Sequence, residues 1–282
     1  MHIVVTGADG QLGVELVRAL APQGEVVGMT IGDMDVRDAS CAERLAAIRP
    51  DWVVHAAAAT DVDGCERDPA LAFAVNGEGT RRIAEGCRRA KAGLVYVSTD
   101  YVFDGRKSGP YLEGDHPGPL NAYGRSKLAG EEATRALDGR WTIVRTAWLY
   151  GVHGKNFVKT ILERARAGQP LRVVDDQVGS PTYAADLADG IATLLSGGHT
   201  GVFHLTNSGA CSWFAFAREI VRLAGLDPGA VTPMTSAELN RPARRPACSI
   251  LENAAWRAKG LAPLRSWPDA LAAMLARLHA GN

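Results

Sequence analysis

Two features of the sequence predict an α/β protein built on a doubly wound parallel sheet, and a third marks a ligand seat on it. Short β-branched segments alternate with longer amphipathic ones through the first half of the chain, and parallel neighbours in a sheet need such crossover segments between them. The strand segments are apolar without strict alternation, as when helices cover both faces. Directly after the first strand comes a glycine-rich turn that opens a helix, and a helix N-terminus of that kind binds anions.

Taken in order, "HIVVTG" reads as a strand, and "QLGVELVRALAPQG" as a helix that stops near a Pro and a Gly. "EVVGMT" is a second strand, "CAERLAAIRP" a helix and "DWVVHAAA" a third strand. "ALAFAVNGEGTRRIAEGCRRA" is predicted as one long helix and "GLVYVSTD" as a strand. The stretch "DGRKSGPYLEGDHPGP", Asp104 to Pro119, is rich in Gly, Pro and charge and reads as a loop. Loops of that length are often functional. "NAYGRSKLAGE" then opens a helix, and "WTIVRTAWLYG" is a strand. Beyond about Gly151 the pattern loosens into a helix "NFVKTILERARAG", a strand "LRVVDD", a helix "AADLADGIATLLSG" and a strand "GVFHLTN". Helices follow near "WFAFAREIVRLAG" and at the C-terminus.

The glycines Gly7, Gly10 and Gly13 stand in G-x-x-G-x-x-G spacing. They permit a tight turn, close backbone approach to a pyrophosphate and close packing of helix on strand. This points to a Rossmann-type site for a nicotinamide dinucleotide, with Asp9, Gln11 and Leu12 completing the loop. Asp35 and Val36, and then Ala56, Ala57 and Ala58 after the third strand, are assigned to the same cofactor. An NAD site usually has an acid at the end of the second strand; "VVGMT" ends without one, and Asp33 and Asp35 come later. No Arg or Lys stands there either, so the cofactor is expected to be NADPH or NADH, with NADPH slightly favoured.

Residues i and i+4 share a helix face, which puts Lys127 beside Tyr123. A phenol of ordinary pKa is a poor acid-base group at neutral pH unless a cation stabilises its phenolate. Ser98 and Thr99 close the strand upstream, at the carboxyl end where doubly wound sheets bind ligands. Thr99 could therefore donate to a substrate carbonyl.

The glycine loop, "STDYVFDG", "YGRSKLAGE" and "RTAWLYG" together resemble the extended short-chain dehydrogenase/reductase family, in its nucleotide-sugar 4-ketoreductase branch. "GKNF", "DDQVGSPTY" and "RPACS" carry the resemblance over nearly the whole chain. It implies NAD(P)H-dependent reduction of the 4-keto group of a nucleotide-linked 6-deoxysugar, as in the last step toward dTDP-L-rhamnose, with Thr99, Tyr123 and Lys127 as the catalytic set. Asp100, Tyr101 and Trp148 fall where that family meets the sugar, and Asn156, Gln177 and "GSPT" lie in its substrate-binding part. Cys248 stands where Asn is typical, and Ala59 where a His is common. A reductase of another dTDP-deoxysugar, or a non-catalytic NADP-binding regulatory subunit, would resemble the same family. A dehydratase needs an Asp-Glu pair after Thr99, and Tyr101 follows Asp100 instead.

The chain of 282 residues has room for one or two domains. A dinucleotide-binding domain is expected over residues 1–150, with some later segments returning to it, and a mainly substrate-binding lobe over 151–282. Lys plus Arg and Asp plus Glu are both 31, which speaks for a small-molecule substrate rather than nucleic acid or a membrane surface. The five cysteines form no C-x-x-C pair, and no apolar run reaches the ~20 residues of a membrane span. A soluble, unprocessed cytoplasmic protein is expected, with a homodimer as an allowed assembly. No metal is expected: the histidines lack ligand spacing, and Glu15, which the resemblance relates to an intersubunit magnesium site, is one carboxylate alone. Arg241, Arg244 and Arg245 form a basic cluster suited to a solvated surface or to a diphosphate.

Overall fold

The computed structural model describes residues 1–280. At its centre lies a six-stranded, wholly parallel sheet. Its strands are β1 (His2–Thr6), β2 (Glu25–Met29), β3 (Trp52–His55), β4 (Gly93–Thr99), β5 (Trp141–Thr146) and β6 (Gly201–His204). In space they run β6, β5, β4, β3, β1, β2. Val4 lies opposite both Val27 and Val53, so β1 is flanked by its successor on one side and by β3 on the other. The strand order reverses there, and the crevice beyond the carboxyl ends of β1 and β3 is where such sheets hold ligands.

Side chains alternate across a strand, and the central strands are buried on both faces as their continuous apolar character predicts. Ile3, Val5, Val54, Val95 and Val144 pack against Leu12 and Leu16 of helix Gln11–Leu20 and Leu187 and Ile191 of helix Ala184–Ser196. Val4, Val53 and Leu94 pack on the opposite face against Leu45, Ile83 and Cys87 of helices Cys41–Ile48 and Thr80–Ala90. Each fully buried aliphatic side chain contributes roughly 1.5–3 kcal/mol. A further core gathers Val158, Leu162, Phe216, Ile220, Leu271 and Met274 of the later helices around the parallel ribbon of Leu171–Val174 and Val231–Met234. The later segments Ala184–Ser196 and β6 return to the main sheet.

Three elements differ from the sequence expectation. The single helix over 70–90 is instead Pro69–Phe73, a π-helical turn Ala74–Gly79, and Thr80–Ala90. The wider turn lets Asn76 reach Ala59, accepting from its N–H at 2.9 Å and donating to its carbonyl at 3.0 Å. The strand "DWVVHAAA" ends at His55, because the alanines leave the sheet to line the crevice. The strand "WTIVRTAWLYG" breaks at Trp148, which takes a left-handed φ of 47°; Leu149–Tyr150 then pairs with Thr182–Tyr183. A left-handed backbone at a bulky residue costs about 1–3 kcal/mol and clusters at functional sites.

Candidate active site

A cavity of about 840 Å³ opens beyond the carboxyl ends of β1, β3, β4 and β5. Its first wall is the glycine loop. Gly7 has φ 69°, and a Cβ there would sit 2.8 Å from the Ala57 backbone. A Cβ on Gly13 would lie 2.0 Å from the Gly7 carbonyl oxygen. Only glycine allows loop and helix to close this tightly. Gly10 precedes the helix and offers no side-chain cap, so the first N–H groups, orphaned at every helix start, remain available to a phosphate. A dinucleotide fits this cradle.

At the other end of the same wall lie Asp35, Val36, Ile31 and Leu71. Arg37 holds the Asp35 carboxylate below its usual range, through Nη2 at 2.6 Å and its own N–H at 2.9 Å. The sequence shows no acid at the end of β2, yet Asp33 folds back and accepts from Thr30 N at 2.9 Å and Thr30 Oγ1 at 2.7 Å. A carboxylate thus reaches the residue after β2 from three positions on.

The reacting centre is assembled by helix Ala122–Arg135, capped by Asn121 Oδ1 on Gly124 N at 2.8 Å. Gly124 lets the helix press on the preceding strand end, where a Cβ would lie 2.1 Å from Tyr101 O. Tyr123 and Lys127 consequently face Thr99 at the end of β4, and all three line the cavity. The Tyr123 ring meets Tyr101 edge-on, with centroids 5.8 Å apart. Burial pushes its phenol up, while the Thr99 hydroxyl pulls it down and Asp100 pushes it further up.

Lys127 differs from the simple tuner the spacing suggests. Its ammonium donates to Val97 O at 2.6 Å and lies 4.2 Å over the Tyr96 ring. Burial lowers its pKa to about 7, opposed by Glu131 one turn on. Burial alone would raise Glu131, but bonds from Arg145 at 2.8 Å and Ser98 Oγ at 2.7 Å hold it low. The Ser98 hydroxyl therefore serves the support beneath the site rather than the ligand edge.

Thr99 Oγ1 donates to Asp100 Oδ1 at 3.0 Å and accepts from Tyr101 N at 3.2 Å. Asp100 Oδ2 is buried without a hydrogen-bond partner among the described residues. Burial raises the Asp100 carboxyl to about 7, with the Ser249 and Thr99 hydroxyls pulling the other way.

The expected catalytic residues and the expected cofactor-loop residues all line this one cavity, as do Asp100, Tyr101, Trp148 and Asn156 of the expected sugar-binding set, whereas Gln177 and the GSPT segment do not. Gln177 is buried away from it and donates to Ser236 Oγ at 2.7 Å. Trp148 stacks on Trp213, with centroids 3.6 Å apart and planes 8° from parallel, and a Cβ on Gly179 would strike its ring. Asn156 lines the cavity but has its amide engaged: Oδ1 caps Lys159 N at 3.1 Å, and Nδ2 donates to Gln11 Oε1 and Gly151 O, both at 2.8 Å.

Sequence reading missed Trp213, Lys155 and Asn76. Trp213 sits at the start of an amphipathic helix, so its pattern signals core. Lys155 lies inside the quoted "GKNF" and carries the signal of a lysine next to a glycine turn. Asn76 also donates to Ser126 Oγ at 3.0 Å, and Ser126 donates to Tyr123 O at 2.8 Å, which ties the alanine wall to the catalytic helix. None of Arg241, Arg244 and Arg245 lines the cavity; Arg241 and Arg245 bind Asp63 at 3.0 and 3.1 Å. Glu15 accepts from Arg18 at 3.0 Å and Arg277 at 2.5 Å, and no cluster of metal-ligating side chains occurs among the described residues.

Residues 1–280 match the family of the RmlD substrate binding domain. A dTDP-4-dehydrorhamnose reductase of Streptomyces griseus is 47% identical over 277 residues, 95% of this chain and 91% of that protein. A probable dTDP-4,6-dihydroxy-2-methyloxan-3-one 4-ketoreductase of Streptomyces antibioticus is 48% identical over 278 residues, 96% of this chain and 93% of that one. Among solved structures, a dTDP-4-dehydrorhamnose reductase of Bacillus anthracis in complex with NADP superposes with a TM-score of 0.94 at 38% identity, covering 98% of both chains.

Proposed function

The chain belongs to the RmlD substrate binding domain family, and from that premise we propose that it uses NAD(P)H to reduce the 4-keto group of dTDP-4-dehydrorhamnose, giving dTDP-L-rhamnose. The carrying observation is the meeting of the glycine cradle with Thr99, Tyr123 and Lys127 in one cavity. The second reading is 4-ketoreduction of another dTDP-deoxysugar, which the equally similar Streptomyces antibioticus relative favours. The presence of Thr99, Tyr123 and Lys127 together speaks for turnover over a purely regulatory role.

Reduced nicotinamide, when bound, supplies the hydride for the carbonyl carbon. The backbone N–H groups of residues 11–13 would hold its pyrophosphate, and Asp35, Val36 and the walls at Ala56, Ala57 and Ala58 its adenosine end. Tyr123 gives its phenolic proton to the carbonyl oxygen; its raised pKa keeps it a neutral donor until reaction. Cationic Lys127 stabilises the phenolate left behind. Protonated Asp100 can donate to Thr99 Oγ1, which frees the threonine hydrogen for the carbonyl oxygen. Trp148 forms the sugar wall. Residues 1–150 with the returning segments bind the dinucleotide, and 151–282 mainly the sugar nucleotide. The balanced charge suits a small-molecule substrate without nucleic acid, and a biosynthetic reductase with no membrane-spanning helix among the described residues suits the cytoplasm. A homodimer is compatible with this reading.

The pH dependence follows from the two groups near 7. Lys127, lowered to about 7, is a cation below that value, and Asp100, raised to about 7, is neutral below it. Both useful forms disappear as pH rises. The rate of reduction at low substrate should therefore fall about tenfold per pH unit, or more steeply, above pH ~8. A profile flat to pH ~9 would contradict these roles. For the reaction itself, NADH and NADPH are tested against a panel of nucleotide 4-keto-6-deoxysugars. Fastest oxidation is expected with dTDP-4-dehydrorhamnose; a faster rate with another dTDP-sugar selects the second reading, and no oxidation with any overturns both.

A further inference from the structure

Gln11 touches both halves of the site. It is the first residue of helix Gln11–Leu20, so its N–H belongs to the phosphate cradle, while its side chain leaves the loop altogether. Nε2 donates to Leu149 O at 3.2 Å, and Oε1 accepts from Asn156 Nδ2 at 2.8 Å. These partners are 138 and 145 residues away. They bracket the segment 149–156, which begins beside Trp148, the left-handed residue stacked on Trp213. Gly151 and Gly154 pass against the Gln11 side chain, where a Cβ would already be in contact at 3.5 and 3.6 Å. The segment also has its own staples, because Lys159 Nζ donates to Val152 O at 3.1 Å and Gly154 O at 3.0 Å. Gln11 is thus the link to the cradle rather than the source of the segment's shape.

We propose that Gln11 is a positioning residue that clasps the 148–156 segment to the dinucleotide cradle, so that the cofactor and the sugar nucleotide each strengthen the binding of the other. The inference rests on the proposed function above. A pyrophosphate on the helix N-terminus fixes the Gln11 backbone, and its amide then fixes Leu149, Trp148 and Asn156 in the arrangement that forms the sugar wall. Linkage requires the reverse effect to be equal in size.

The test measures dTDP binding by calorimetry with and without saturating NADP⁺, a pair that cannot react. In the unaltered protein NADP⁺ should tighten dTDP binding about 5- to 20-fold, and dTDP should tighten NADP⁺ by the same factor. Gln11→Met removes both clasp bonds and should bring that ratio below about 2, whatever it does to NADP⁺ binding alone. Asn156→Asp keeps an acceptor for Lys159 N but loses the donor to Gln11, and should lower the ratio likewise. Thermal melts confirm folding, and either variant alone suffices. A merely structural role weakens dTDP equally with and without NADP⁺ and leaves the ratio intact; that result, or a ratio near one in the unaltered protein, overturns the clasp. Failure of dTDP to bind in either state overturns the nucleotide-sugar reading and the clasp with it.

Discussion

Tyr123→Phe should lower turnover about 10³-fold, within the range that a positioned acid-base group supplies, and leave NADP⁺ affinity within about threefold. The substitution deletes one group in place. Phe keeps the ring that meets Tyr101 edge-on and removes only the hydroxyl beside Thr99. The helix cap at Asn121 and the Ser126 bond to the Tyr123 carbonyl involve other atoms and persist. The loss should therefore appear in kcat, read by single-turnover oxidation of NADPH, with the melting temperature nearly unchanged. Turnover within about tenfold of the unaltered protein would place the proton donor elsewhere.

Gly13→Ala should weaken NADP⁺ binding by about 100-fold and lower the melting temperature. The added Cβ would stand 2.0 Å from Gly7 O and 2.7 Å from Ala8 Cα. Both neighbours are backbone of the cradle, so no side chain can swing aside, and the loop must open or the helix start must retreat from it. Overpacking of this kind costs typically ~1–3 kcal/mol, and the displaced N–H groups no longer converge on a pyrophosphate. Gly109→Ala is the control, since a Cβ there meets nothing within 4 Å. NADP⁺ affinity in Gly13→Ala within about threefold of normal would show that the cradle does not hold the cofactor.

Much of this arrangement was legible because it is local. The glycine spacing after β1 and the Tyr123 and Lys127 pair depend on a few consecutive residues whose helix geometry sequence alone specifies. The alternation of strands and helices is local in the same way and predicts the parallel sheet. What escaped depends on distant partners. Lys127 shares a helix face with Tyr123, yet its ammonium is claimed by Val97 O from β4 and its charge is opposed by burial. Arg241 and Arg245 look free for a diphosphate until the fold brings Asp63 to them from 178 and 182 residues away. The long helix over 70–90 has continuous helical spacing, and only the Ala59 backbone explains its π turn. Asn156 carries the polarity of a ligand residue but is engaged by the cap it makes and by Gln11.

Whether this cavity reduces a nucleotide-linked 4-keto sugar is tested most directly by following NADPH consumption with dTDP-4-dehydrorhamnose and identifying the product. Consumption of one NADPH for each dTDP-L-rhamnose formed, slowed about 10³-fold in Tyr123→Phe, is the predicted result. Binding of both NADPH and the sugar nucleotide without any consumption would contradict it and leave a protein that holds the pair without reacting them.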